Sequence, residues 1–310
     1  MLSFSTCWNS YRHTDGESLV REILNMGFDT IEISHGLNIS LLPGIMKMFD
    51  DGLIKVSGVH NFCPSPIEVM IDAPDAYEFT SHRVFERERA LSLSVKTIET
   101  AARFGGTYVV LHMGTVPVKH FTPELEEMVA AGKINSRAYA ARKLKAVQDR
   151  EKLAPLYVRR ANETLTTLSE HAKKHNVALG VESRSHYEQL PTEREMVQLM
   201  DDFADDPHVG YWHDFGHVQR KANLSLLDHH QWLERMQPHL VGCHLHDVLW
   251  PARDHRVPFQ GSIDYDGLMP HIAPHKPIVW ELSPSRKKRD IIPALKRWRE
   301  RYPDTQSTTA

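Results

Sequence analysis

The feature of this sequence that most restricts its fold is a regular alternation of two hydrophobic patterns. Short runs rich in β-branched and aromatic residues alternate with longer amphipathic stretches of helical period, and eight such pairs occur along the chain. The predicted strands span residues 2–8, 30–34, 56–61, 108–113, 178–183, 209–214, 240–246 and 277–282. The predicted helices span residues 16–26, 39–50, 85–104, 159–175, 192–203, 226–236, 265–271 and 290–301. Eight strand and helix units close a barrel, so the pattern predicts an α/β fold with a single (β/α)8 TIM barrel domain over residues 1–310.

An open, doubly wound sheet is the alternative for this order of elements. It is disfavoured because TCWNSYRHTDG follows the first predicted strand, where a dinucleotide-binding sheet has a glycine-rich turn. Two connections are long: residues 63–84 follow the third strand and residues 114–158 follow the fourth. Both leave the carboxyl ends of their strands, so we expect these long loops over the barrel mouth, where barrel enzymes carry their active sites.

Composition narrows the class of protein. The chain is 41% hydrophobic and 25% charged, and it has no apolar run long enough to cross a bilayer. The start, MLSFSTCWNSYR, lacks the basic and apolar parts of a secretory signal, so we expect a cytoplasmic protein. Cys7, Cys63 and Cys243 form no CxxC pair, which predicts neither a disulfide framework nor a thiolate zinc site. The formal net charge of -3 disfavours nucleic acid as a partner.

Four predicted strands end in a residue that can bind a divalent cation. The segments are GVES, YWHDFGH, GCHLHD and VWELS, with the candidate ligands Glu182, Asp214, His244 and Glu281. Parallel strands of a barrel end at the same rim, so three carboxylates and one imidazole are expected to converge there. His244 can face the barrel interior while Cys243 packs under the helices, because neighbouring strand residues point in opposite directions. Each carboxylate alone is equally well interpreted as a paired structural acid, but four on strand ends favour a metal site.

The chain has 20 histidines against 16 glycines, and several of the histidines lie on the same predicted rim. The candidates for substrate binding or further metal ligation are His60, His112, His217 and His255. Each of them alone is more typical of a core or loop histidine, and their grouping on one rim is what favours a function. His213 and His246 are weaker candidates.

Basic residues are concentrated in one of the long connections. Residues 119–160 carry ten Lys or Arg against five Asp or Glu. A solvated, charged helix is the favoured interpretation, and a lid that closes over an anionic substrate is the alternative. The run SRKKRD at residues 285–290 leaves a similar choice between a solvated turn and a phosphate site, since barrels often bind phosphate after the eighth strand.

Seven segments together make the chain resemble the xylose-isomerase-like TIM barrel superfamily, which holds sugar isomerases, ketose epimerases and apurinic-site endonucleases. They are DTIEIS, VVLHMG, GVES, DFGH, CHLHD, HRVPFQGSIDY and WELS, and the resemblance covers nearly the whole chain apart from the two long connections and the tail. By this resemblance Glu182, Asp214, His244 and Glu281 are a shared metal quartet. The epimerase branch implies that the two glutamates are also the acid/base pair and that a histidine placed like His217 contacts the substrate.

The endonuclease branch implies a different use of the same mouth. There the positions of four histidines complete a three-zinc cluster, and this sequence keeps all of them, as His60, His112, His217 and His255. It departs from that branch in carrying Arg253, followed by Asp254, where an aspartate is expected, and Phe259 where the family commonly has glycine. Glu32 in TIEIS is interpreted as either a buried polar anchor or a sugar contact.

The donor set and the resemblance together predict a divalent-metal-dependent isomerase or epimerase of a sugar or sugar derivative. In such an enzyme Glu182 and Glu281 exchange a proton with carbon through an enediolate that the cation stabilises. The quartet favours Mn²⁺ or Mg²⁺, and use of the extra histidines as ligands favours Zn²⁺. A zinc-dependent phosphodiester hydrolase of the apurinic-site endonuclease type and a barrel that binds sugar without turnover are the alternatives. The expected partner is a small carbohydrate, with no membrane, and barrels of this kind are often homo-oligomers.

Overall fold

A computed structural model describes residues 1–66, 68 and 74–305. Within them, eight parallel strands form a closed barrel: β1 (Leu2–Ser5), β2 (Thr30–Ile33), β3 (Lys55–His60), β4 (Tyr108–Leu111), β5 (Ala178–Glu182), β6 (Val209–Asp214), β7 (Leu240–Leu245) and β10 (Ile278–Trp280). β1 pairs with both β2 and β10, which closes the sheet. An antiparallel hairpin of β8 (Asp247–Leu249) and β9 (Arg253–Arg256) follows β7. The prediction of a (β/α)8 TIM barrel is confirmed.

Helices follow the strands along the chain. They are α1 (Gly16–Leu24), α2 (Leu42–Asp50), α3 (Val84–Arg103), α4 (Thr122–Ala130), α5 (Arg137–His175), α6 (Glu193–Asp202), α7 (Phe215–Asn223), α8 (His229–Met236), α9 (Tyr265–Leu268) and α10 (Lys288–Arg301). Local signals fix several ends: Asp15 caps α1 by accepting from the Ser18 N–H at 2.8 Å, and Thr192 opens α6 in a capping box. Among the described helices, none combines the length and the apolarity needed to cross a membrane.

Several predicted boundaries are wrong for local reasons. The strand predicted at residues 2–8 ends at Ser5, because Thr6–Trp8 turn into a 3-10 helix. The helix predicted at 159–175 is only the last part of α5, which is 39 residues long and begins after Ser136, whose hydroxyl accepts from the Tyr139 N–H at 3.1 Å. The connection 114–158 therefore contains α4 and the first half of α5, and it is mostly helical.

Two elements after β6 and β7 were not predicted. α7 begins directly at the end of β6, where Asp214 accepts from the His217 N–H at 2.7 Å and so caps the helix. The helix predicted at 226–236 begins only at His229. The hairpin was missed because the β9 sequence, RDHR, has no apolar alternation. The segment HRVPFQGSIDY, expected as a loop, thus begins inside β9.

Large rings fill the barrel below the strand ends. Tyr108 and Trp212 lie with their ring centroids 4.4 Å apart and cluster with Val110 and Val279. Glycines on neighbouring strands make room for them, since a Cβ on Gly58 would lie 2.5 Å from the Tyr108 ring. Such interleaving of large and small side chains is how barrel interiors pack. The ring centroids of Trp212 and His244 lie 5.0 Å apart, so the predicted ligands lie next to this layer of large rings.

Candidate metal centre

The four predicted metal ligands meet at the barrel mouth. Glu182 and Asp214 end β5 and β6, His244 is the penultimate residue of β7, and Glu281 follows β10. One donor atom from each lies within 4.8 Å of the other three, and each residue is at most 4% exposed. His244 Nδ1 is 3.0 Å from Glu182 Oε1 and 3.5 Å from Glu281 Oε2. The structure thus meets the condition on which the metal prediction depended, and ligation itself stays a prediction.

The chemistry of this donor set fits a divalent cation. Three carboxylates buried this closely are costly unless positive charge lies among them. Burial alone would lower the pKa of His244, but Glu281, Glu32 and Glu182 raise it well above its ordinary value. Burial alone would raise the pKa of Glu281, but His244 and His255 bring it to about 2. Neighbouring histidines also hold the pKa values of Glu182 and Asp214 below their ordinary range, against the effect of burial. The three carboxylates are therefore ionised, and three oxygen donors with one nitrogen donor suit a cation such as Mn²⁺, Mg²⁺ or Zn²⁺.

Glu32 holds His244 in the orientation that ligation needs. His244 Nε2 lies 3.2 Å from both carboxylate oxygens of Glu32, which also accepts from the Tyr108 hydroxyl at 3.1 Å. An imidazole that donates its Nε2–H to a carboxylate presents Nδ1 as the ligand atom, and Nδ1 is the atom that faces Glu182. Glu32 is fully buried, so of its two interpretations the structure supports the polar anchor over the sugar contact.

His246 positions Asp214. The backbone N–H of His255 donates to His246 Nδ1 at 2.9 Å, so a neutral ring carries its proton on Nε2, 3.1 Å from Asp214 Oδ1. Gly216 makes room for the ring, because a Cβ there would lie 1.9 Å from His246 Cε1. This contact explains the glycine of the DFGH motif. His246, a weak candidate from the sequence, gains a role through Asp214.

Three of the four predicted rim histidines share one arrangement. Nδ1 lies 2.9 Å from the Asn61 carbonyl in His60, 3.0 Å from the Ser183 carbonyl in His217, and 3.2 Å from the Glu281 carbonyl in His255. A carbonyl can only accept, so each ring donates from Nδ1 and, when neutral, leaves Nε2 as an acceptor. Burial lowers the pKa of His60 and brings that of His217 to about 4, which keeps both rings neutral. In His217 and His255 the Nε2 can accept a hydrogen bond from a hydroxyl group or bind a metal ion, whereas His60 Nε2 lies 3.4 Å from Glu182 Oε2.

The fourth rim histidine, His112, differs because both of its nitrogens face carboxylates. Nε2 lies 2.7 Å from Glu182 Oε2, and Nδ1 lies 2.9 Å from Asp75 Oδ1. Asp75 also accepts from Arg184 at 2.8 and 3.2 Å. Asp75 and Arg184 were not predicted from the sequence, because they lie outside the strands, where no hydrophobic period shows which way a side chain points.

A cavity of about 350 Å³ opens on these groups, which is a volume suited to a small molecule. Its lining residues are Cys7, His35, His60, Pro74, His112, Glu182, Arg184, His217, His255, Glu281, Leu282, Ser283 and Pro284. His35 was also missed by the sequence analysis, and its Nε2 lies 3.8 Å from Glu281 Oε1. A larger groove of about 1110 Å³ runs outside the barrel along α5, α6 and α8, but it contains none of the candidate ligands. The smaller cavity therefore stays the predicted site.

The loop after the hairpin carries Phe259, one of the departures from the family pattern. Asp247 accepts from the Gly261 N–H at 2.7 Å and the Ile263 N–H at 3.2 Å, which fastens the loop to β8. Phe259 has a φ of 71°, in the left-handed region where glycine is favoured, which accounts for the glycine common in the family. The Arg297 guanidinium lies 4.1 Å from the Phe259 ring centroid and helps to hold this conformation.

Two residues beside the candidate histidines differ from the pattern that the endonuclease branch implies. His217, His246 and His255 bring donor atoms within 4.8 Å of one another. Arg253, however, is exposed, and Asp254 pairs with Arg220 at 2.6 Å. Neither residue replaces the aspartate of the endonuclease branch at this position.

The basic residues of segment 119–160 support the simpler of the two interpretations. None of them lines the cavity among the residues that the structure describes. Several are paired with acids, including Arg142 with Glu124 at 2.6 Å and Lys145 with Asp149 at 2.8 Å. A charged helical surface accounts for these pairs without a lid.

Comparison with known proteins agrees with this architecture. Similar solved structures include a D-tagatose 3-epimerase-like protein, with a TM-score of 0.68 and 16% identity over 98% of this chain and 97% of that one. They also include the 3-keto-D-glucoside 4-epimerase YcjR of E. coli, with a TM-score of 0.67 and 15% identity over 96% and 98% of the two chains. A zinc-bound IOLI protein has a TM-score of 0.66 and 16% identity over 99% of each chain. At these identities the likeness establishes the fold.

Sequence comparison adds the family. The uncharacterized protein y4fM of Sinorhizobium fredii is 23% identical over 197 residues, which is 63% of this chain, and the match spans only 52% of that relative. The family model described as "Xylose isomerase-like TIM barrel" matches residues 20–301, which include every candidate ligand of the mouth. The resemblance predicted from the motifs is thereby confirmed, and the chain belongs to the xylose isomerase-like TIM barrel family.

Proposed function

We propose that this protein is a divalent-metal-dependent isomerase or epimerase that acts on a sugar or sugar derivative. The observation that carries the proposal is the convergence of four buried donors, Glu182, Asp214, His244 and Glu281, beside a cavity of small-molecule size. One protein of similar fold is named as a sugar epimerase and another as a sugar epimerase-like protein, which supports a carbohydrate as the substrate.

The quartet would hold the cation, and its three carboxylates favour Mn²⁺ or Mg²⁺. Bound there, the cation would act as a Lewis acid on a carbonyl and its neighbouring hydroxyl, and stabilise the negative charge that develops when a proton leaves carbon. Glu32 and His246 would keep His244 and Asp214 aimed at it, as outer partners of metal ligands commonly do.

Glu182 and Glu281 would move the proton. Their strands, β5 and β10, are separated in the barrel by β6 and β7, so the two carboxylates can reach a substrate from different sides. One carboxylate, in its ionised form, would accept the proton from carbon, and the other, after taking a proton from solvent, would return it to the same or the neighbouring carbon. The first carboxylate would then release its proton to solvent, which restores the pair. Proton transfer by a positioned side chain typically contributes about 10² to 10⁴ in rate.

The rim histidines would bind the hydroxyl groups of the substrate. In His217 and His255 the Nε2 can accept from a hydroxyl, because Nδ1 is already committed to a backbone carbonyl. The Nε2 of His60 lies 3.4 Å from Glu182 Oε2, so His60 would meet the substrate beside that carboxylate. Such contacts would fix the orientation of the sugar relative to the two glutamates. His112 would bind the substrate beside Glu182, whose Oε2 lies 2.7 Å from His112 Nε2.

Exchange of solvent deuterium into carbon tests the proposal. We expect the Mn²⁺-loaded protein in D₂O to introduce deuterium next to the carbonyl of a ketose, measured by NMR over a panel of pentoses and hexoses. Glu182→Gln and Glu281→Gln are expected to lower the exchange rate by about 10² or more while circular dichroism stays unchanged. Glu188→Gln is the matched control, because Glu188 is also 1% exposed but lies outside the cavity. Near-native exchange in either active-site variant, or none with any sugar, would refute the assignment.

Zinc-dependent phosphodiester hydrolysis is the second candidate function. The observation that favours it is the presence of further donor groups in the mouth, such as His60 with Glu182 and His244. Two features weigh against it: Arg253 is exposed where an acid is expected, and the adjacent Asp254 is paired with Arg220. Cleavage of DNA at abasic sites without deuterium exchange would establish this alternative, and sugar binding with neither reaction would indicate a carbohydrate-binding barrel.

A further inference from the structure

Asp75 lies beside the candidate metal centre, on the segment between β3 and α3. It accepts from His112 Nδ1 at 2.9 Å, and His112 Nε2 lies 2.7 Å from Glu182 Oε2. Asp75 also accepts from two nitrogens of Arg184, at 2.8 and 3.2 Å. One imidazole ring thus links Asp75 to a candidate metal ligand on β5.

We propose that Asp75 is a positioning residue that orients the Glu182 carboxylate through His112. A carboxylate can only accept, so Asp75 holds the ring proton of His112 on Nδ1 and fixes the plane of the ring. Glu182 Oε2 can likewise only accept, so at 2.7 Å His112 Nε2 also carries a proton and donates to it, which leaves Oε1 toward His244 Nδ1 at 3.0 Å. The inference rests on the proposed function only in taking Glu182 as a metal ligand.

The ion pair with Arg184 offers a competing role for Asp75, as a tether between its segment and β5. The segment has another anchor, however, because Arg160 on α5 donates to the carbonyls of Thr80 at 2.9 Å and Ser81 at 3.2 Å. Loss of the Asp75 charge therefore leaves the segment docked to α5. A relay through His112 and a tether through Arg184 predict different results when the partners are changed one at a time.

A double-mutant cycle on Mn²⁺ affinity separates the two roles. Isothermal titration calorimetry would compare the wild type, Asp75→Asn, His112→Gln and the double variant, each prepared free of metal. Outer partners of metal ligands typically contribute about 10- to 100-fold in affinity, so we expect Asp75→Asn to weaken Mn²⁺ binding by about 10-fold or more. In the His112→Gln background the same change should have little further effect, because the ring that transmits it is gone.

Two further variants serve as controls. Arg184→Gln removes the tether and keeps the contact between Asp75 and His112, so we expect it to weaken Mn²⁺ binding less than Asp75→Asn does, and an equal or larger loss would favour the tether. Asp266→Asn is the matched surface change, because Asp266 likewise accepts from an arginine, Arg301, and from a ring substituent, the Tyr302 hydroxyl at 2.7 Å. It should leave the affinity unchanged. If Asp75→Asn alone does not fold, because Arg184 is left buried without its partner, Asp75→Asn combined with Arg184→Gln provides the measurement.

The outcomes are distinct from those of the proposed function. Unchanged Mn²⁺ affinity in Asp75→Asn, or an equal loss in both His112 backgrounds, would overturn the inference. Intact coupling in a protein that exchanges no deuterium into any sugar would instead overturn the proposed function alone.

Discussion

Replacing Glu32 by glutamine tests whether a buried carboxylate below the mouth sets the affinity of the metal centre. Glutamine keeps the size of the side chain and can still accept one hydrogen bond, but it removes the negative charge beside His244. Both Glu32 oxygens lie 3.2 Å from His244 Nε2, and the residue is fully buried. At an effective dielectric constant of about 20, two opposite unit charges at this distance attract each other by about 5 kcal/mol. This is an upper value for Glu32 and His244, because the desolvation of both groups opposes it.

The measured effect should be smaller than this limit, because the amide oxygen replaces part of the interaction. Outer partners of metal ligands typically contribute about 10- to 100-fold, which corresponds to about 1.4 to 2.8 kcal/mol. We therefore expect Glu32→Gln to weaken Mn²⁺ binding by that factor in calorimetric titration of the metal-free protein. The melting temperature of the metal-free variant reports on folding, and Glu188→Gln controls for the loss of an equally buried glutamate outside the cavity.

The result that would refute this reasoning is an unchanged Mn²⁺ affinity in a folded Glu32→Gln protein. A raised KM for the sugar with intact metal affinity would be a different outcome. It would assign Glu32 to substrate binding, the interpretation that the full burial of the side chain argues against.

Three further predictions concern separate parts of the molecule. His217→Ala should raise KM for the sugar with little change in kcat, measured by steady-state kinetics, and an unchanged KM would contradict substrate contact. Gly216→Ala should lower the free energy of unfolding by about 1 to 3 kcal/mol in urea titrations, because the new Cβ would lie 1.9 Å from His246 Cε1; wild-type stability would contradict that packing. Burial raises the pKa of Cys63 and Cys243 to about 12, so a thiol reagent at neutral pH should label at most one cysteine per folded chain and all three after unfolding. Rapid labelling of all three in the folded state would show that these thiols are accessible.

The parts of the fold that the sequence predicted well are those with a local hydrophobic period. Buried parallel strands and amphipathic helices can be recognised from a few consecutive residues, and all eight barrel strands were predicted in this way. α7 was not predicted, because its first turn, FGHV, directly follows a strand and its start depends on the Asp214 side chain as a cap. β9 was not predicted, because a strand of only polar and charged residues is recognised through its pairing with β8 and not through its own hydrophobic pattern.

The candidate site divides in the same way. The sequence by itself determined which residues end the strands, and the closed barrel then brings Glu182, Asp214, His244 and Glu281 to one rim. Only the tertiary structure decided which side chains form hydrogen bonds to these ligands from outside the metal site. Glu32 and His244 are 212 residues apart in the chain, and Asp75 and His112 are 37 apart, yet each pair lies within hydrogen-bond distance. A hydrogen bond depends on distance and direction to within a few tenths of an ångström, and no pattern along the chain encodes a contact between distant segments at that resolution.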